Sequence, residues 1–115
     1  MQRKGFIAIH EEDDLIRELL ERWLAEAGYA VRANGDESPR LVIADVPSPH
    51  GAQARIEALR DLYAAPVLVL SGRFRRGLGT SDEAARRLGV RKVLPKPFTR
   101  RELLSAVHEA LEGAA

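Results

Sequence analysis

The sequence predicts an α/β fold, a parallel sheet with helices on both faces, and three observations lead there. Short, uninterrupted apolar runs recur along the chain: Phe6-Ile7-Ala8-Ile9, Leu41-Val42-Ile43-Ala44 and Val67-Leu68-Val69-Leu70. A strand buried on both faces reads this way, whereas a half-exposed one alternates polar with apolar. Between the runs, apolar residues return at helical spacing. Strands alternating with helices imply parallel pairing and right-handed crossovers, which put helices on both sides of the sheet.

Each element follows in turn. Phe6–Ile9 is a buried strand bounded by Gly5 and charge. Ile16, Leu19, Leu20, Trp23, Leu24 and Ala27 then keep a helical period, with Trp23 on the core face, and Gly28 stands where a helix-ending glycine belongs. Tyr29-Ala30-Val31 is a short second strand, and Asn34 to Pro39 is turn chemistry. Leu41–Ala44 is a third strand, ended by Asp45 and by Pro47 and Pro49. A helix from Ala52 to Tyr63 places Ile56, Leu59 and Leu62 on one side. Pro66 opens the strand Val67–Leu70, which stops at Ser71-Gly72. Arg73 to Gly79 has no period and reads as a loop. Thr80-Ser81-Asp82-Glu83 fits a capping box for a short helix that Gly89 ends. Val90–Leu94 is the last strand, closed by Pro95-Lys96-Pro97. Thr99-Arg100-Arg101-Glu102 is a second capping box, and its helix carries Leu103, Leu104, Val107, Ala110 and Leu111 inward.

Length and composition bound the rest. One domain, residues 1–115, fits a chain of 115 residues with 45% apolar and 30% charged side chains. No cysteine excludes disulfides, thiolate metal sites and a cysteine nucleophile. Pro66–Leu70 is too short to span a bilayer and the N-terminus lacks a secretory signal's apolar segment, so a cytoplasmic location and no membrane partner are expected. The net charge of +1 hides a gradient. Residues 1–72 hold 8 basic and 12 acidic side chains, centred on Glu11-Glu12-Asp13-Asp14, and residues 73–115 hold 10 basic and 5 acidic ones, centred on Arg73–Arg76, Arg86-Arg87 and Arg91-Lys92. Nucleic-acid binding needs base-reading or stacking side chains, and only Phe74 lies near the arginine cluster, so none is expected.

In parallel α/β sheets the chemistry collects at the carboxyl ends of the strands. Those ends carry Glu11 and Glu12, Asp45, Ser71 and Lys96. Clustered carboxylates repel each other and are relieved by a divalent cation such as Mg²⁺. A carboxylate is also a nucleophile toward phosphorus. The transferred group then needs a metal, a cation and a hydroxyl around its oxygens. Asp45 as acceptor, Glu11 and Glu12 as metal carriers, Lys96 as cation and Ser71 as donor fill these roles. Each has a plainer reading beside it. The acidic run suits a helix dipole, and Asp45 and Ser71 suit turns. His10 and His50 lie near the rim without ligand spacing, and His108 belongs to a helix face.

Ile7 to Leu20, Leu41 to Asp45 with Pro49 four residues on, Pro66 to Ser71, and Leu94-Pro95-Lys96-Pro97-Phe98 resemble, in that order, the receiver domains of two-component response regulators. The resemblance implies a flavodoxin-like, doubly wound, five-stranded parallel sheet of order 2-1-3-4-5. It implies phosphoryl acceptance on Asp45 from a histidine kinase or phosphotransfer protein, with Mg²⁺ held by Glu11, Glu12 and Asp45. Ser71 falls on the family's Ser/Thr switch and Lys96 on its lysine, whose bond to Pro97 would be cis.

The departures are specific. The acidic pair is Glu-Glu rather than Asp-Asp or Glu-Asp, each side chain one methylene longer. Val93 stands at the aromatic switch position, and after Pro49 only His50-Gly51 follows. Between Val31 and Leu41 lie nine residues, Arg32 to Arg40, where the family places a whole helix. At about 3.3 Å each they reach back along one strand without one, and a helical crossover takes at least about 10–12 residues. The second helix is therefore expected to be missing, leaving apolar sheet surface for a homodimer or another partner. The link from Ser71 to Lys96 is instead lengthened by Arg73–Gly79, whose arginines would either dock an acidic partner or be solvated.

The leading expectation is a phosphoryl-accepting switch with a downstream protein partner, not an enzyme acting on outside substrates. The alternative is a phosphorylation-independent pseudo-receiver, a scaffold for interaction or dimerisation. A dehalogenase-like Mg²⁺ phosphohydrolase is a third class, but the nucleophile strand has no second Asp and no cap is present. Nothing shaped as an output domain follows Glu112, which fits either a stand-alone receiver or a piece of a longer chain.

Overall fold

The computed structural model describes residues 6–31, 38–46, 51–72 and 81–112. In chain order these form β1 (Phe6–His10), α1 (Asp14–Glu26), β2 (Pro39–Asp45), α2 (Ala52–Tyr63), β3 (Val67–Ser71), α3 (Ser81–Leu88), β4 (Lys92–Pro95) and α4 (Arg100–Glu112). The strands make one parallel sheet in the order β1-β2-β3-β4. This is the expected α/β architecture, in which strand and helix alternate.

The apolar runs split by parity between two cores. Leu41, Ile43, Leu68 and Leu70 point to one face, with Ile7 and Leu94, and pack against Leu20 and Leu24 of α1 and Leu103, Val107 and Ala110 of α4. Val42, Ala44, Val67, Val69 and Val93 point to the other, against Ile56 and Leu59 of α2 and Ala85 and Leu88 of α3. Both faces are covered, which is why β2 and β3 carry no polar alternation.

Helix ends follow from local chemistry. Asp13 caps α1, its Oδ1 accepting from the amides of Leu15 and Ile16 at 2.9 and 3.1 Å. At the other end Gly28 takes φ +97°, and the amides of Gly28 and Tyr29 donate to the carbonyls of Ala25 and Leu24, a Schellman closure. The Thr99–Glu102 capping box forms in both directions, at 2.8 and 3.1 Å.

Several expectations change. Among the described residues Tyr29–Val31 is no strand: Ile7 donates to the Ala30 carbonyl at 2.9 Å, but these residues lie outside the strands of the sheet, and Tyr29 is spent on closing α1. Among the described residues the sheet is therefore four-stranded, the expected 2-1-3-4-5 order without its outer strand. The last strand starts at Lys92 rather than Val90, because the Val90 amide bonds Ala85 at the end of α3. Leu62 is 68% exposed, and Tyr63 turns inward instead. Leu19 is partly exposed, and Trp23 is half-buried rather than core. On the α2 face of the sheet the small apolar residues are covered. Ala8, Val42 and Ala44 are buried, and the Tyr63 ring stands edge-on to His10 at the end of β1.

The linker Arg32–Glu37, and with it the missing second helix, lies outside the described residues. So do Pro47 to His50, the Arg73–Gly79 loop, Thr80 of the first capping box and the residues after Glu112.

Candidate functional site

Parallel pairing brings the carboxyl ends of β1, β2, β3 and β4 to one edge, and most of the expected residues meet there. Asp45 ends β2, Ser71 ends β3, and Lys96 follows β4 directly. The Lys96 ammonium lies 2.8 Å from Asp45 Oδ1 and 3.1 Å from Glu11 Oε1. The side chains of Glu11, Asp45 and Lys96 are 2%, 14% and 23% exposed, so the contact is shielded on the carboxylate side and reachable from the lysine side.

Each group is held by the local fold. Glu11 uses its second oxygen to accept from the Asp13 amide at 3.1 Å. The residue that caps α1 thus also anchors the acidic side chain before it. The Lys96 amide donates to the Ser71 carbonyl at 2.9 Å, locking lysine and serine together, and Ser71 is fully buried. The Lys96–Pro97 bond is cis. Partial burial pulls the Lys96 pKa down, but the hydrogen bonds and charges of Asp45 and Glu11 outweigh it, and the net displacement is upward.

Glu12 is exposed and does not join this contact. Among the described residues no group of three or more His, Asp or Glu is assembled to hold a metal. What is assembled is a pair, Glu11 and Asp45, whose oxygens converge on one cation. Mg²⁺ commonly uses one or two carboxylates, completing its shell with water and phosphate oxygens, so the pair suits that ion, with Glu12 on the same turn.

Sequence reasoning missed Arg55, and it missed the partner of His10. Arg55 of α2 donates from Nε to the Asp45 main-chain carbonyl at 3.2 Å. His10 bonds the Tyr63 hydroxyl at 2.7 Å through Nε2, and its pKa is lowered by burial first and then by the charge of Arg55. The helical spacing from Ala52 to Tyr63 showed Tyr63's turn but not its partner. Beside the site, Ile16, Leu19, Leu20, Trp23, Pro97 and Phe98 line an apolar groove of about 390 Å³ that reaches Lys96. His108, as expected of a helix face, is exposed, and pairs with Glu112.

A doubly wound parallel sheet with an aspartate and a lysine in contact at its carboxyl edge defines a class, and comparison with known proteins gives the family. No family model matches the chain. It is 32% identical over 126 aligned positions to the transcriptional regulatory protein GltR of Pseudomonas aeruginosa, covering 94% of this chain and 49% of that protein. The chain spans half or less of the length of the curated regulators it matches. A response regulator receiver protein from Burkholderia phymatum superposes with a TM-score of 0.71 at 22% identity, over 95% of this chain and 96% of that one, a likeness of fold. The signal receiver domain of a histidine kinase from Syntrophus aciditrophicus gives 0.65 at 28% identity, over 96% and 92%. The chain is a receiver domain of the kind that response regulators carry. Among its described residues no helix is long and apolar enough to cross a membrane.

Proposed function

We propose that this receiver domain takes a phosphoryl group on Asp45 from a histidine kinase or phosphotransfer protein, and that the modification switches a surface read by a downstream protein. The observation that carries the reading is the 2.8 Å contact between Lys96 and Asp45 at the strand ends. In the transfer, an Asp45 carboxylate oxygen forms a bond to phosphorus as the P–N bond of a phosphohistidine breaks. The imidazole leaves with the electron pair and is protonated. Lys96, at the edge of the site, meets the charge on the phosphoryl oxygens. The Ser71 hydroxyl supplies a hydrogen bond to one of them. Mg²⁺ bound by Glu11 and Asp45, with Glu12 beside them, would neutralise carboxylate and phosphoryl charge together. The chemistry is self-directed, so the chain is not an enzyme with outside substrates, and it acts in the cytoplasm without nucleic acid or membrane as partner. A homodimer is one form its output could take.

The test is intact mass after incubation with acetyl phosphate and Mg²⁺. The wild type should gain one phosphoryl group and Asp45→Asn none. No gain, or a gain that survives the substitution, contradicts the reading.

Two observations favour a second reading, a pseudo-receiver that works as a scaffold without phosphate. Glu12 stands exposed and apart, and the aromatic switch position is a buried valine, Val93. In that case Mg²⁺ leaves the amide resonances of Glu11, Glu12 and Asp45 unmoved, and Asp45→Ala leaves partner binding intact.

A further inference from the structure

Asp45 is gripped from two sides, and only one grip belongs to the carboxylate. Along β2, the amides of Val42 and Val46 bond the carbonyls of Pro66 and Leu70 in and around β3. Even-numbered residues therefore turn their main chain to β3, and Asp45 turns its own toward β1. There β1 gives out: its last pair is His10 with Ala44. The Asp45 carbonyl has reached the end of the ladder, at a residue mostly shielded from water, where a carbonyl needs a partner. Arg55 supplies it, reaching from the first turns of α2 with its Nε–H at 3.2 Å. Arg55 is itself half-buried, and its charge is felt at His10, the residue where β1 stops.

We propose that Arg55 is a positioning residue for phosphoryl acceptance at Asp45: it holds the acceptor's main chain from the α2 side while Lys96 holds its carboxylate from the β4 side. This rests on the receiver reading above. The reacting oxygen hangs three bonds from the Cα of the backbone that Arg55 fixes, so slack there becomes misaim at phosphorus. Misplacement of about 1 Å can cost up to about a hundredfold in rate. A guanidinium is suited to the task because a charged donor bonds a carbonyl more strongly than a neutral one. A lysine keeps the charge and a donor, whereas a glutamine is shorter and keeps an amide donor at the reach of Nε without the charge.

The experiment follows phosphoryl uptake by intact mass over a range of acetyl phosphate concentrations, with Mg²⁺, for wild type, Arg55→Lys and Arg55→Gln. Thermal melting serves as the check on folding, and the Asp45 carbonyl ¹³C and Val46 amide ¹⁵N resonances as the local probe. Expected is a fall of about tenfold in the maximal rate for R55Q, with the half-saturating donor concentration unchanged. R55K should recover most of the rate, and the two resonances should move in R55Q while distant ones stay. Equal rates in wild type and R55Q overturn the inference alone. So does loss of cooperative melting in R55Q, or an R55K as slow as R55Q, since the contact would then serve the fold. A wild type that takes up no phosphoryl group overturns the receiver reading, and this inference with it.

Discussion

Lys96 Nζ stands 2.8 Å from Asp45 Oδ1 and 3.1 Å from Glu11 Oε1, one ammonium joining two carboxylates that arrive from different strands. With Glu11 only 2% exposed, removal of the cation leaves a buried negative charge without its counterpart. Breaking a buried pair in this way commonly costs about 3–5 kcal/mol. Because Lys96 remains 23% exposed, the expectation for Lys96→Met is lower, about 2 kcal/mol. Urea unfolding in EDTA measures it, so that no divalent ion takes the ammonium's place. The Glu11→Gln/Lys96→Met pair should cost clearly less than the two single losses added together. Additive losses would mean that the residues do not interact.

α2 offers a test of which side faces the core. Ile56 is fully buried, and Leu62, six residues on and about 120° round the helix from it, is 68% exposed. Ile56→Ala should cost about 3 kcal/mol and Leu62→Ala no more than about 0.5 kcal/mol by urea unfolding. Comparable losses would put Leu62 back in the core.

On the far side of the sheet from α2, Lys92 of β4 donates to Glu109 of α4 and holds its carboxyl below the ordinary range. The folded pKa being depressed, the pair's contribution is present above the unfolded value, about 4.3. It is lost as pH falls through the folded one. Both groups meet solvent, so the effect on stability is slight and the carboxyl's own titration is the sharper probe. By NMR, Glu109 should titrate below the ordinary glutamate midpoint, return to it in Lys92→Met, and move toward it in about 1 M salt. A midpoint indifferent to Lys92 would refute the contact.

Much of this was legible from patterns that report local physics. Uninterrupted apolar runs marked β2 and β3 because both faces are covered, and Thr99–Glu102 marked a cap because the box is a short-range bond. Asp45, Ser71 and Lys96 were legible because strand ends converge in any parallel sheet. Other features needed three dimensions. Tyr29 looked like strand but was drawn into closing α1, and Leu62 was read with the core although Tyr63, seven residues after Ile56, is the one in line with it, its hydroxyl meeting His10. Arg55 gave no signal at all. It sits ten positions from Asp45, and its role exists only because β1 ends before it can bond that carbonyl.

The central claim is that the carboxylate held by Lys96 is a phosphoryl acceptor, and chemical trapping of the modified residue tests it most directly. After incubation with acetyl phosphate and Mg²⁺, borohydride reduces an acyl phosphate of aspartate to homoserine, and peptide mass mapping locates the change. The account predicts homoserine at position 45 and at no other aspartate, with little in Lys96→Met. An unreduced Asp45, or conversion at another carboxylate of the acidic rim, would contradict it.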